Sequence, residues 1–529
     1  MSGVISAGDA QTAAAGADIL RVGGNAVDAA VAAAFASFIA EIGIVHLGGS
    51  GLAHIYNPAD DSSVVYDFFS NAPGLGTPQP AALDFRQVTI DYGATTQDFF
   101  LGRASVAVSG NIEGLCRLAA DHGRLPLATV MAPALKLARE GALLSRFQAE
   151  TCQLLSPIYT HTEEMRQIFA ADGVMIAAGQ RLFLPGLAET LSKIVSHGPS
   201  WARDGELGRA MVADQAARGG LLTEADLHHY QVYALPSIRI QYREFEILLP
   251  PPCSTGGVLT AFALKLLSAF DLSKIGYGSA AHMQILYEVM AAATRARPGW
   301  AEIQSSHEPA EAIALFLGEP FLDDYRQQVK VNLSRGEAST AMPEPDGPND
   351  TSHLSVIDGD GLAVSMTTTA GESAGYVLPG TGYIPNNIMG EADLHPNGFH
   401  SHPAGQRIPT MMTPTVVLKN GKTRLVVGSG GSIRIRSAIL QVLSNLLDFG
   451  MTLDQAVNNP RVHIENGVLQ CEPGLPDDTI LALQSKGYPV NLWEKRSIYF
   501  GGAHSVSRTE KGRLVAAGDS RRGGSVASA

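Results

Sequence analysis

The stretch "NDTSHLSVIDGDGLAVSMTTTAG", residues 349–371, decides how the chain is to be read. Two apolar-alternating arms, 352–357 and 362–368, flank an Asp-Gly turn, which is the pattern of a β-hairpin. The segment before it, "SRGEASTAMPEPDGPND" (334–350), has almost no apolar side chains and carries prolines at 343, 345 and 348. Such composition cannot order itself around a core, so the chain divides naturally into 1–350 and 351–529. The first arm opens on a hydroxyl, Thr351, and the returning arm ends on three more, Thr367, Thr368 and Thr369. Threonine can serve as a nucleophile with its own α-amine as base once the peptide bond before it is cut. Asp350–Thr351, between a loose linker and a rigid strand, has the layout such a cut requires. Taken locally, the same junction is also a loop entering a strand at a β-branched residue.

Working outward, helical periodicity is found at 8–20, 26–40, 127–140, 256–269, 281–296 and 433–448. Strand patterns fall at 52–56, 63–68, 105–108, 236–249, 352–357, 362–368, 414–419, 423–428, 467–471 and 512–517. The two types alternate along the whole chain, giving an α/β or α+β class with no repeat of fixed period. The 529 residues are 45% hydrophobic and 17% charged, an ordinary well-buried composition. A net charge of −13, with Arg521 and Arg522 too short a basic cluster to count, argues against a nucleic-acid partner. The apolar run 29–40 is too short to span a bilayer and is expected to be a buried helix, so no membrane partner is expected. Cysteines 116, 152, 253 and 471 lie far apart without metal or disulfide spacing and fit free thiols of a reducing compartment. The N-terminus has no basic n-region or long apolar h-region, so a cytoplasmic location is expected.

"VVGSGGSIRIRSAILQVL" (426–443) predicts strand, glycine turn and helix. Amides at such a helix start can bind an anion or a developing oxyanion. By itself the loop is also compatible with nucleotide or phosphate binding, although it lacks the Walker lysine and the full GxGxxG spacing. His395, His400 and His402 have no cysteine or carboxylate completing a metal-ligand spacing. They predict a polar loop, and neither a metal nor a cofactor is expected.

"DTSHLSVIDGDGLAVSMTTT" resembles the segment at which gamma-glutamyltranspeptidases cleave themselves. "GGNAVDAAVAAA", "LGGSGLAHIY", "GLLTEADLHHY", "PPPCSTGG", "NPRVH" and "GDSRRGG" match further stretches of that family in the same order, over nearly the whole chain. The resemblance implies an α+β, four-layer αββα sandwich of the N-terminal-nucleophile hydrolase type. It further implies a precursor cut between Asp350 and Thr351 into two chains that stay together as an α/β pair. Thr351 matches the family nucleophile and Thr369 the threonine that steadies it. Gly431 and Ser432 fall at the oxyanion turn, where the family usually has a second glycine in place of Ser432.

The departures from the family pattern fall on substrate recognition. Phe69 in "DFFSNAPG" stands where the family holds the substrate carboxylate with an arginine, and an Arg-to-Phe change removes that bidentate clamp. Gly371 replaces an asparagine, Ile388 in "NNIM" replaces a glutamine, and the family acid survives only as Glu391. Thr410 and Met411 replace a serine pair. The cutting machinery is retained and the glutamyl pocket is altered. The expected reaction is therefore hydrolysis of a small amide, with an oxamate-type compound preferred. A true gamma-glutamyltransferase and a cephalosporin-acylase-like enzyme are the alternatives. Arg407 and Arg434 are the cations offered for an acidic substrate, against the simpler reading that each forms a structural ion pair.

Overall fold

Short β-strands that alternate with long apolar helices must bury one sheet face against helices and the other against a second sheet. The computed structural model, which describes residues 3–76, 82–91, 96–339, 351–395 and 397–529, has this arrangement. The strands that build it are, in chain order, β1 (Val4–Ala7), β2 (Ser50–Asn57), β3 (Ser62–Phe68), β4 (Tyr233–Pro236), β5 (Ile238–Tyr242), β6 (Phe245–Leu249), β7 (Ser352–Ile357), β8 (Ala363–Thr369), β9 (Thr415–Lys419), β10 (Lys422–Val427), β11 (Ser505–Arg508), β12 (Leu514–Ala517) and β13 (Ser525–Ser528). The principal helices are α1 (Ala10–Arg21), α2 (Ala26–Ala40), α3 (Thr255–Leu267), α4 (Ala280–Ser306) and α5 (Arg434–Leu447).

One antiparallel sheet runs β13-β1-β7-β8-β2-β3-β4 and the other β12-β11-β10-β9-β6-β5. Helices α1 and α2 cover the outer face of the first, and α3, α4 and α5 pack outside the second. Between the sheets lies an apolar layer of Tyr56, Leu248, Ile357, Val416, Val426 and Val506. This is the four-layer αββα sandwich. Each sheet mixes strands from before residue 340 with strands from after 350, so the two halves of the sequence share both sheets.

The local chemistry explains the central elements. Every residue of α2 is buried, as its alanine-rich sequence requires, and Asn25 and Asp28 close its N-terminus with a capping box. In the β7–β8 hairpin the carboxylate of Asp358 accepts from the amides of Asp360 and Leu362. Gly361 supplies the turn's positive φ of 89°.

The stretch 236–249 is two strands of a hairpin, β5 and β6, and residues 105–108 are not a strand. There a 3-10 turn at Arg103–Ser105 leads into a single bridge between Asn71 and Val108. The 334–350 break begins as the end of a helix, Glu319–Arg335, while residues 340–350 lie outside the described residues. No described helix is long and apolar enough to cross a membrane.

Candidate active site

The β7–β8 register pairs Ser352 with Thr368. Carried one residue further, it sets Thr351 opposite Thr369, on facing positions whose side chains approach within about 5 Å. Both are buried, and Thr369 Oγ1 accepts from the amide of Gly371 at 3.0 Å. The Thr351 carbonyl receives Arg522 Nη1 at 3.3 Å. A Cβ on Gly430 would stand 1.9 Å from that same oxygen, so a side chain there is excluded.

The histidine of the same motif is structural. His353 Nε2 meets Ser355 Oγ at 2.9 Å, and Ser355 Oγ donates to the His504 carbonyl at 2.9 Å. With its one proton given to that carbonyl, Ser355 accepts from Nε2–H, which leaves Nδ1 to accept from Thr367 Oγ1 at 2.8 Å. The ring is therefore neutral, and burial, together with nearby His504, holds its pKa well below the ordinary value.

A small cavity brings together Phe69, Thr351, Thr369, Glu391, Thr410, Met411 and Ser432, seven of the residues singled out from sequence. Asp393, Leu394, Met412 and Ile435 complete its lining. Larger hollows elsewhere, such as that between Ile240 and Ile313, contain none of these groups. Gly371 lies beside the cavity with φ 64°, and a Cβ there would meet Asn387 Oδ1 and Glu391 Oε1, each at 2.1 Å. The family asparagine would not fit that position. Gly431 (φ 115°) and Ser432 (φ 50°) form the turn into α5, and their carbonyls accept from the amides of Arg434 and Ile435. The positive end of α5 thus faces the cavity side occupied by Ser432. Asp350 lies outside the described residues.

The charges sort cleanly. Arg407 pairs with Asp67 at 3.3 Å, donates to the Phe69 carbonyl and lies over Tyr230. Arg434 pairs with Glu465 at 3.6 Å and stacks on Tyr499. Neither lines the cavity, in agreement with the ion-pair reading. Phe69 and Ile388 belong to one apolar cluster with Leu52, Ala107, Met389 and Met412. Among the described residues, the cavity lining holds two carboxylates, Glu391 and Asp393, and no lysine or arginine.

His395, His400 and His402 each give Nε2–H to a backbone carbonyl, of Ile388, Ala104 and Leu394 respectively. No metal-ligating cluster is found among the described residues. The "NPRVH" and "GDSRRGG" stretches meet in a buried network, in which Asp519 pairs with Arg461 at 2.6 Å and with Arg521 at 3.1 Å. Arg521 also pairs with Glu472. That network anchors the segment that brings Arg522 to Thr351. Sequence reading missed His353, Asp393 and Arg522. Arg522 sat inside a quoted motif, whereas Asp393, two residues beyond Glu391, carried no local signal.

The family model described as gamma-glutamyltranspeptidase matches residues 12–529. The chain is 33% identical over 509 residues to the Acylase ACY 1 proenzyme of Pseudomonas sp. (strain V22), spanning 95% of this chain and 89% of that one. It is 30% identical over 539 residues to the glutathione hydrolase proenzyme of Escherichia coli (strain K12), spanning 98% and 90%. Among solved structures, a cephalosporin acylase from Bacillus halodurans superposes with a TM-score of 0.84 at 25% identity, covering 99% of this chain and 95% of that one. With the sandwich fold, the paired threonines and a family match that runs to the last residue, this chain belongs to the gamma-glutamyltranspeptidase family and is an amide-bond hydrolase.

Proposed function

We propose that the chain is a precursor that cuts itself between Asp350 and Thr351 and then hydrolyses amides with Thr351. The observation that carries this reading is the single cavity shared by Thr351, Thr369 and Ser432. Thr351 Oγ1 attacks the amide carbonyl while the freed α-amine takes the hydroxyl proton. The amides of Gly431 and Ser432 hold the oxyanion, and Thr369 orients the nucleophile. Collapse expels the leaving amine, which takes that proton, and water then releases the acid from the threonine ester. The 1–350 and 351–529 chains stay together because both sheets interleave their strands.

The lining argues for an acyl group that is small and neutral or cationic. Phe69 presents apolar surface, and the described lining offers no lysine or arginine to pair with an anionic acyl group. This disfavours oxamate, the substrate preferred from sequence alone. A γ-glutamyl amide is favoured only in its α-amino group, which Glu391 can accept. Phosphate binding at the glycine turn is disfavoured because the Ser432 hydroxyl is given to the carboxylate of Asp393.

Denaturing electrophoresis tests the reading. Dividing 55.7 kDa in proportion to 350 and 179 residues gives bands of about 37 and 19 kDa, the smaller beginning with threonine. A single band after long incubation, or an unchanged split in Thr351→Ala, rejects it. For the substrate, butyryl p-nitroanilide is expected to outrun the glutaryl anilide and oxamate, and the reverse order rejects the charge argument.

A further inference from the structure

Ser432 carries a side chain in a left-handed conformation (φ 50°) that an L-residue adopts at a cost, at the position where its family usually has glycine. The residue is buried, so solvent does not hold it there. What holds it is visible: its Oγ donates to Asp393 Oδ2 at 2.5 Å. Asp393 is itself buried and lies in a 3-10 turn, Ala392–Leu394, directly after Glu391. Both partners line the catalytic cavity. The bond therefore ties the segment carrying the cavity acids to the turn that opens α5.

We propose that Asp393 is a positioning residue that locks Ser432 in its left-handed conformation and so sets the oxyanion turn. The proposal rests on the reading of Thr351 as nucleophile and of the Gly431 and Ser432 amides as oxyanion donors. A serine freed from Asp393 can relax towards negative φ, which rotates the peptide plane and turns an amide away from the reacting carbonyl. Glycine at 432 populates positive φ without such help. Asp393 thus stands in for the backbone freedom that a glycine has by itself, and the serine hydroxyl and the carboxylate form one device.

The test uses the processed enzyme and p-nitrophenyl acetate, an acyl donor that needs no acyl pocket, with the pre-steady-state burst reporting acylation. Asp393→Ala is expected to slow acylation by about 10- to 100-fold, less than the roughly 100- to 1,000-fold for outright loss of one oxyanion donor, because the amide is misaligned rather than removed. Ser432→Gly is the reference background, because glycine keeps the amide and takes positive φ without Asp393. The decisive variant is the double one: Ser432→Gly with Asp393→Ala should recover to within about threefold of Ser432→Gly. A general structural role for Asp393, or a direct role in holding substrate, would not be rescued by glycine at another position. Asp393→Asn, which keeps an acceptor for the serine hydroxyl, should lose less than Asp393→Ala and guards against a misfolded alanine variant.

Wild-type acylation in Asp393→Ala overturns the proposal, as does a double variant as slow as Asp393→Ala. Thr351→Ala, which this reading expects to stay uncut, serves as the unprocessed control. If it removes the burst, the nucleophile reading stands and the other arms judge the lock alone. If it keeps the burst, the nucleophile reading itself falls and takes the lock with it.

Discussion

The hydroxyl of Ser352 donates to Glu41 Oε2 at 2.5 Å, joining the residue after the proposed nucleophile to a fully buried carboxyl at the end of α2. Burial, reinforced by nearby Asp9 and only partly offset by the Ser352 bond, raises the Glu41 pKa from 4.5 to about 7. An acid whose folded pKa is raised contributes its full stability below the unfolded value. It loses that stability as pH rises through the folded one.

Glu41 should therefore favour folding below pH 4.5 and lose its contribution by about pH 7, a swing of about 3 kcal/mol. Glu41→Gln is neutral throughout and still accepts from Ser352. Relative to wild type it should gain about 3 kcal/mol in urea stability between pH 4.5 and pH 8. An unchanged difference at the two pH values would show that Glu41 is charged in the fold.

Gly428 faces the His353 ring so closely that a Cβ would lie 2.3 Å from Cε1 and 2.5 Å from Nδ1. His353 is pinned on both nitrogens and cannot yield. Gly428→Ala is expected to cost about 1–3 kcal/mol by overpacking and to slow the split at Thr351, because β7 must shift. Thermal melting and a gel time course check it, and a melt equal to wild type refutes it.

Phe69→Arg would place a guanidinium in the cavity wall. The ratio of γ-glutamyl to butyryl p-nitroanilide turnover should move towards γ-glutamyl by about 10-fold or more. A ratio that does not move means that residue 69 does not face the acyl group.

Asp519 lies fully buried, which by itself would raise its pKa, yet Arg461 and Arg521 hold the carboxyl far below the usual carboxylate range. Its stabilisation is present above pH 3.8 and lost as pH falls below that value. Asp519→Asn leaves two buried arginines short of a counter-charge and is expected to cost about 3–5 kcal/mol at pH 7. The variant should also lose less of its remaining stability than wild type on acidification below pH 3.8, read by denaturant titration.

Much of the framework was legible because its causes are local. The β7–β8 hairpin follows from strict alternation around Asp-Gly, and α2 follows from an alanine-rich run closed by Asn25 and Asp28. The strands at the two ends of the chain, β1 and β13, escaped notice. Each has four residues, and what makes them strands is that they pair with each other at one side of the first sheet. Residues 105–108 read as a strand because they are apolar, but they find only the bridge to Asn71.

By itself, then, the sequence determined the hairpin that begins beside Thr351 and the family, because each is written in contiguous residues. The tertiary structure decided the rest. It spent Arg407 on Asp67 and Arg434 on Glu465, left two acids in the cavity, and set Asp393 against Ser432 across 39 residues of chain. Contacts between residues far apart in the chain depend on how the layers close, and no local pattern records them.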